Sequence, residues 1–140
     1  MVGQGDSGWF LYLLPLLAVG FFLLVMAGDA QLAGWRALAR RFRAKVRPTG
    51  PGVVELGRCV GHYSTYHLIA SPAGLFVEQE WPVRCFHPSL LVPWSEVEHD
   101  DGGKYLWWRY HAIYLGREMD IQIWDKQYRK MKPFLADRAG

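Results

Sequence analysis

The residues of this 140-residue chain best suited to chemistry are two cysteine–histidine pairs, Cys59 with His62 and Cys85 with His87. Four such side chains are the donor set of a tetrahedral zinc ion, which takes thiolate sulfur and imidazole nitrogen. Their spacing argues against it. On an extended strand Cys85 and His87 share a face, whereas Cys59 and His62, three residues apart, point opposite ways. A metal- or thiol-dependent enzyme using these four residues is therefore the alternative; the leading expectation is of free thiols and ordinary imidazoles, with no metal and no cofactor. His67, His99 and His111 have no sequence-near Ser or Cys in a nucleophile motif, and no catalytic residue is expected. The carboxylates Glu96, Glu98, Asp100 and Asp101 are expected to form a solvated rim where a strand ends in a turn.

A second constellation lies in residues 105–115, which carry Tyr105, Trp107, Trp108, Tyr110 and Tyr114. Period-two geometry puts Trp107, Arg109 and His111 on one face of a strand and Trp108 and Tyr110 on the other. With Trp108 and Tyr110 as core, the face of Trp107, Arg109 and His111 is free to bind a partner or the membrane, unless a covered sheet face explains the same residues.

Beyond Gly52 the pattern alternates, with turn chemistry at short intervals. Strands are expected at residues 53–61, 66–70, 75–80, 90–97, 105–115 and 119–124. Ser71, Pro72, Ala73 and Gly74 form a hairpin turn, and Asp100 to Gly103 a second reversal. Pro93 interrupts its strand and belongs at an edge, a strand start or a bulge. In residues 119–124, Met119, Ile121 and Ile123 face one way and Asp120, Gln122 and Trp124 the other. A helix follows at residues 125–136, capped by Asp125, with a kink or early end at Pro133. The expected fold class is α+β, mostly β: a small antiparallel bent sheet or partial barrel with a C-terminal helix, built on one core.

Charge and hydropathy locate this domain. Residues 9–27 are uncharged, and nineteen residues of helix reach about 28 Å, enough for a hydrocarbon core of roughly 30 Å. Arg36, Arg40, Arg41, Arg43, Lys45 and Arg47 follow, whereas no Lys or Arg precedes the run. That bias predicts the N-terminus outside and the C-terminal domain in the cytoplasm. A cleaved signal is the alternative, since Gly28 and Ala30 suit a cut before Gln31, but the N-terminal flank lacks a basic n-region and the apolar run exceeds an h-region. The net charge of +3 belongs to the connector, because residues 53–140 carry ten basic against eleven acidic side chains, a net of −1. Anionic lipid headgroups, not nucleic acid, are the partner this implies.

Between span and domain, Leu32, Trp35, Leu38, Ala39, Phe42 and Val46 recur at helical spacing with arginines on the other faces. An amphipathic helix of this kind lies at the headgroup level, so Trp35, Arg36, Arg40, Arg41, Phe42, Arg43 and Lys45 are expected at the membrane interface, unless the apolar stripe packs on the domain. Pro48, Gly50, Pro51 and Gly52 end it. The expected organisation is thus an extracytoplasmic flank at 1–8, a span at 9–27, a connector and linker at 28–52, and a cytoplasmic domain at 53–140.

Gly34, Trp35, Leu38, Ala39 and Phe42, with HLIASPAGLFVEQ and HPSLLVPWSEV further on, resemble small bacterial single-pass membrane proteins in which a GW-x-x-LA-x-x-F connector follows an N-terminal span. The strand order around PWSEV and the terminal helix are similar to bacterial domains of the pleckstrin-homology type, whose bent sheets are closed at one end by a C-terminal helix. The resemblance implies a fold more than an activity, in line with a non-catalytic binding or scaffold module whose partners are the membrane and a protein.

Overall fold

The computed structural model describes residues 8–32, 34–60, 65–81, 84 and 87–139; the expectations for residues 1–7, His62 and Cys85 lie outside the described residues. The fold is α+β, with helix and strand in about equal measure. Gly8–Leu32 forms a 25-residue helix, α1, that accommodates Pro15. Its segment Gly8–Val25 is long and apolar enough to cross a membrane, and none of it is buried among the described residues.

The helix gives way at Gly34, which is left-handed at φ 75°. Only glycine suits this place, because a Cβ would also run into the carbonyl of Glu118. A second helix, α2, spans Trp35–Phe42. Its apolar stripe packs on the domain: Trp35 and Leu38 are fully buried, and Ala39 and Phe42 are half-buried against the same core. The Trp35 indole donates its Nε1–H to the carbonyl of Pro88 at 2.8 Å and stacks on Tyr66 at 5.5 Å. This corrects the expectation that the rings of Trp35 and Phe42 lie among lipid headgroups. The sheet offers the indole both apolar cover and an acceptor, and a buried Trp gains about 4–6 kcal/mol from area alone. Arg36, Arg40, Arg41, Arg43 and Lys45 stay exposed. The expected helical pattern also stops short of Val46, since Arg43 pairs with Leu90 and the Ala44 N–H donates to Ser89 O at 2.8 Å.

Among the described residues seven antiparallel strands follow: β1 (Val54–Val60), β2 (Thr65–Ser71), β3 (Gly74–Gln79), β4 (Leu90–Val92), β5 (Val97–Tyr105), β6 (Trp108–Leu115) and β7 (Met119–Trp124). Their order is β4-β3-β2-β1-β7-β6-β5. The hairpin at 71–74 forms as expected, closed by the Ser71 hydroxyl donating to Gly74 O at 3.0 Å. Pro93 ends β4 and precedes a 3-10 turn at Trp94–Glu96. The alternation of β7 is realised in full, with Met119, Ile121 and Ile123 buried.

The last helix, α3 (Asp125–Ala139), continues through Pro133. The carbonyl that loses its donor there belongs to Arg129, an exposed residue that water can reach. Met131 enters the core, Phe134 stacks on Trp94 at 5.3 Å, and Trp94 Nε1–H donates to Ser71 O at 2.7 Å.

Two expectations fail around β5 and β6. Asp100 to Gly103 do not reverse the chain; β5 runs through them with a bulge between Asp101 and Gly103, and the turn comes at Leu106 and Trp107. The glycines serve close approach: a Cβ on Gly102 would sit 2.6 Å from the Tyr110 ring. The core face of β6 is also opposite to the expected one. Ile113 and Leu115 are buried, so Arg109 and His111 belong to the inward register, and Trp108 is 51% exposed. Trp107 sits in the turn, off the strand.

Trp35→Ala should therefore cost about 3–5 kcal/mol in denaturant unfolding, and Trp108→Ala less than about 1 kcal/mol. Equal losses would contradict the core described here.

Candidate functional site

The Trp108 end of β6, the Trp124 end of β7, the start of α3 and the bulged part of β1 border an open groove of about 860 Å³. Three indoles line it. Trp124 is the outward end of β7, and its pairing with Tyr110 places Trp108 diagonally across from it, their rings edge to face at 6.5 Å. Trp107, from the turn, tilts against Trp108 at 5.5 Å and 45°. Leu56 and Gln127 contribute from β1 and α3.

Four cations surround these rings: Lys104, Arg109, Lys126 and Lys130. Lys104 and Arg109 are direct cross-strand partners in the β5–β6 ladder. Lys126 and Lys130 are one helical turn apart. The groove's carboxylate, Asp125, is already engaged: Oδ1 accepts from His111 Nε2 at 2.9 Å and Oδ2 pairs with Arg129 at 2.9 Å. The hydrogen bond from His111, and then the charges of Arg129, His111 and Arg109, hold its pKa below the usual carboxylate range.

Behind Asp125 lies a relay. His111 Nδ1 and His99 Nε2 are 2.9 Å apart, and the Tyr128 ring stacks on both imidazoles at 4.1 and 4.2 Å. Asp125 Oδ1 accepts from His111 Nε2, and Nδ1 of the same ring faces His99 Nε2, the donor between the two imidazoles being set by their tautomers. The chain His99–His111–Asp125 ties the start of α3 to β5 and β6.

Of the sequence-derived binding residues, Trp107 and Arg109 line the groove, while His111 is half-buried beneath Tyr128 and touches the groove only through Asp125. Trp124, Lys104, Lys126 and Lys130 were not anticipated as site residues. A signal for them existed in the outward place of Trp124 in the β7 alternation, followed at once by two lysines at helical spacing. Of the zinc constellation, Cys59 is buried in β1 and His87 is buried edge-on to Trp35 at 5.3 Å. Burial pushes the Cys59 thiol up to about 12, a hydrogen bond to the backbone of Tyr66 only partly opposing it. Among the described residues no group of three or more His, Cys, Asp or Glu is placed to hold a metal ion. Glu98 and Asp100 are exposed, and Glu96 pairs with Arg41 at 3.2 Å.

Comparison with protein-family models, curated proteins and solved structures finds no match to this chain.

Two outcomes follow from these protonation states. Cys59 should resist alkylation near neutral pH in the folded chain and react only with unfolding; rapid modification of folded protein at this position would contradict its burial. Ionised Asp125 is favoured by folding, so its contribution to stability is full above the ordinary carboxylate pKa of about 3.9 and is lost as pH falls through its lower folded value. The stability gap between the native chain and Asp125→Asn should accordingly shrink in acid, and a gap that widens there would refute this pairing.

Proposed function

We propose that this chain is a non-catalytic, membrane-anchored binding module, held by α1 in a bacterial inner membrane with its N-terminus outside and its sheet domain in the cytoplasm. The orientation rests on charge, since Arg36 to Arg47 supply six basic residues after the span and none precedes it. Their exposure supports contact with anionic headgroups, at about 1 kcal/mol for each residue near the surface. In this arrangement α2 uses one side for the domain and offers the other to lipid. The likeness to bacterial pleckstrin-homology-type domains belongs to the same proposal and rests on the sequence motifs.

The observation that carries the binding role is the groove. Indoles that a fold does not need in its core stand at its surface beside four cations, and that combination of apolar area with fixed charge is what recognition of a partner requires. The partner is a protein or lipid headgroup of anionic character; nucleic acid is not proposed for a domain whose net charge is −1.

Reporter fusions after Gly140 should be active only as cytoplasmic reporters, and periplasmic activity would reverse the orientation. A photocrosslinker at position 107 in native membranes should form discrete adducts that Arg109→Glu removes, whereas one at the outward position Tyr114 should form none. Identical adduct patterns from the two positions would dismiss the groove as the binding site.

A further inference from the structure

We propose that the groove binds a monomeric anionic amphiphile, its aliphatic chain against Trp107, Trp108 and Trp124 and its phosphate or carboxylate head on Lys104, Arg109, Lys126 and Lys130. The proposal rests on the binding-module reading and names the occupant.

Charge is the first ground. Lys104 and Arg109 face each other directly across two strands, and Lys126 and Lys130 are i,i+4 on α3. Like charges in either arrangement repel, so both pairs oppose the local structure that carries them. Both converge on one groove, and its carboxylate is already committed to His111 and Arg129. An anion from outside relieves both repulsions at once.

The turn is the second ground. Tyr105 pairs with Trp108, so two residues close the β5–β6 hairpin, and the first of them, Leu106, has φ 56°. Glycine or asparagine is usual there, since a branched side chain is strained in the left-handed region. Leu106 and Trp107 are nonetheless 65% and 76% exposed, so neither is held there by the core. Apolar residues kept at a strained, wet turn beside the groove suit a ligand with an apolar body.

The shape of the groove selects the kind of body. The three indoles meet at 45° and 65°, presenting tilted faces and edges. A flexible chain can bend to keep contact with all three tilted indoles, whereas a rigid ring meets them one or two at a time. The groove's volume of about 860 Å³ suits one small molecule. Its position argues for a monomer taken from water: it opens at the Trp124 end of β7, five residues and about 17 Å from Met119, next to the turn on which the connector docks. The connector that leads to α1 begins at Gly34, against Glu118, at the other end of β7.

The test uses the full chain in phosphatidylcholine nanodiscs, with empty nanodiscs as blank, titrated calorimetrically with octyl phosphate below its micelle concentration. Hexyl phosphate, octanol, inorganic phosphate and 1-naphthyl phosphate are compared with it. Octyl phosphate should saturate one site and bind about tenfold tighter than hexyl phosphate, from two added methylenes at about 0.8 kcal/mol each. Octanol and inorganic phosphate should each bind at least about tenfold more weakly, and added salt should weaken octyl phosphate. Trp107→Ala and, separately, Lys126→Gln with Lys130→Gln should lower the affinity without shifting the melting temperature by more than a few degrees, because all three side chains are exposed. Equal affinity for hexyl and octyl phosphate, tighter binding of 1-naphthyl phosphate, or affinities unmoved by these substitutions would overturn the proposal. If octyl phosphate fails while position 107 still crosslinks to a protein, the amphiphile is wrong and the binding module stands; if both fail, both fall.

Discussion

The arrangement of this domain depends on the carboxamide of Gln127. Its sheet consists of two halves, β4-β3-β2-β1 and β7-β6-β5, and β1 and β7 are directly paired at Val60 and Gln122. Gln127 reinforces that seam from α3. Its Nε2 donates to Leu56 O at 3.0 Å and Arg58 O at 2.7 Å, and its Oε1 accepts from Trp124 N at 3.0 Å. Leu56 is the residue left out of the β1–β2 register, in a bulge between Glu55 and Gly57, and Arg58 follows it by two. A bulge releases backbone groups from the ladder, and a buried carbonyl without a partner costs about 1–3 kcal/mol. One side chain thus satisfies β1, terminates β7 and sets where α3 begins. Because Trp124, Asp125 and Lys126 lie at that junction, it also places the groove.

A second junction governs how the domain meets its anchor. Gly34 touches the backbone of Glu118, and a Cβ on Gly116 would come within 2.9 Å of Leu38. The β6–β7 turn and α2 therefore fit closely, and Trp35 secures the contact through Pro88. A connector docked in this way is a strut, with far less freedom than a linker of equal length. Its exposed arginines are consequently presented on a rigid surface, at a set place relative to the sheet. Through β6 and β7 the same rigidity carries to the groove at the opposite end of those strands.

The groove is where local preferences and the fold part company. Exposed indoles, a leucine in the left-handed region and two pairs of facing cations are each unfavourable on local terms. Elsewhere Ile121 and Ile123 point inward, Gly34 occupies a left-handed position and the Ser71–Gly74 hairpin carries the expected turn residues, while Arg117 at φ 63° and the exposed Trp81 depart from local preference singly. Several departures meeting in one groove mark a place shaped by something other than stability. The histidine relay behind it is the reverse case, a buried-side network whose hydrogen bonds and ring stacking hold Asp125 and α3 in place.

By itself the sequence determined the apolar helix long enough for a membrane, the α+β class, the alternation of β7 and the helix after Asp125, because each arises from contacts among residues close in the chain. It also contained the Trp35, Leu38, Ala39 and Phe42 stripe, but not what the stripe faces, since lipid and a sheet accept the same residues. Tertiary structure decided that when the carbonyl of Pro88 met the indole and Glu118 met Gly34. It likewise decided the faces of β6. Period two separates Trp108 and Tyr110 from Arg109 and His111 without saying which pair is inward, and α3, bringing Tyr128 over His111 and Met131 into the core, chose the second. The turn at 100–103 was misleading for the same reason, as Gly102 and Gly103 make room for Tyr110 across the ladder. Lys104, Arg109, Lys126 and Lys130 come together from β5, β6 and α3, and no spacing along the chain records a convergence that only long-range pairing creates.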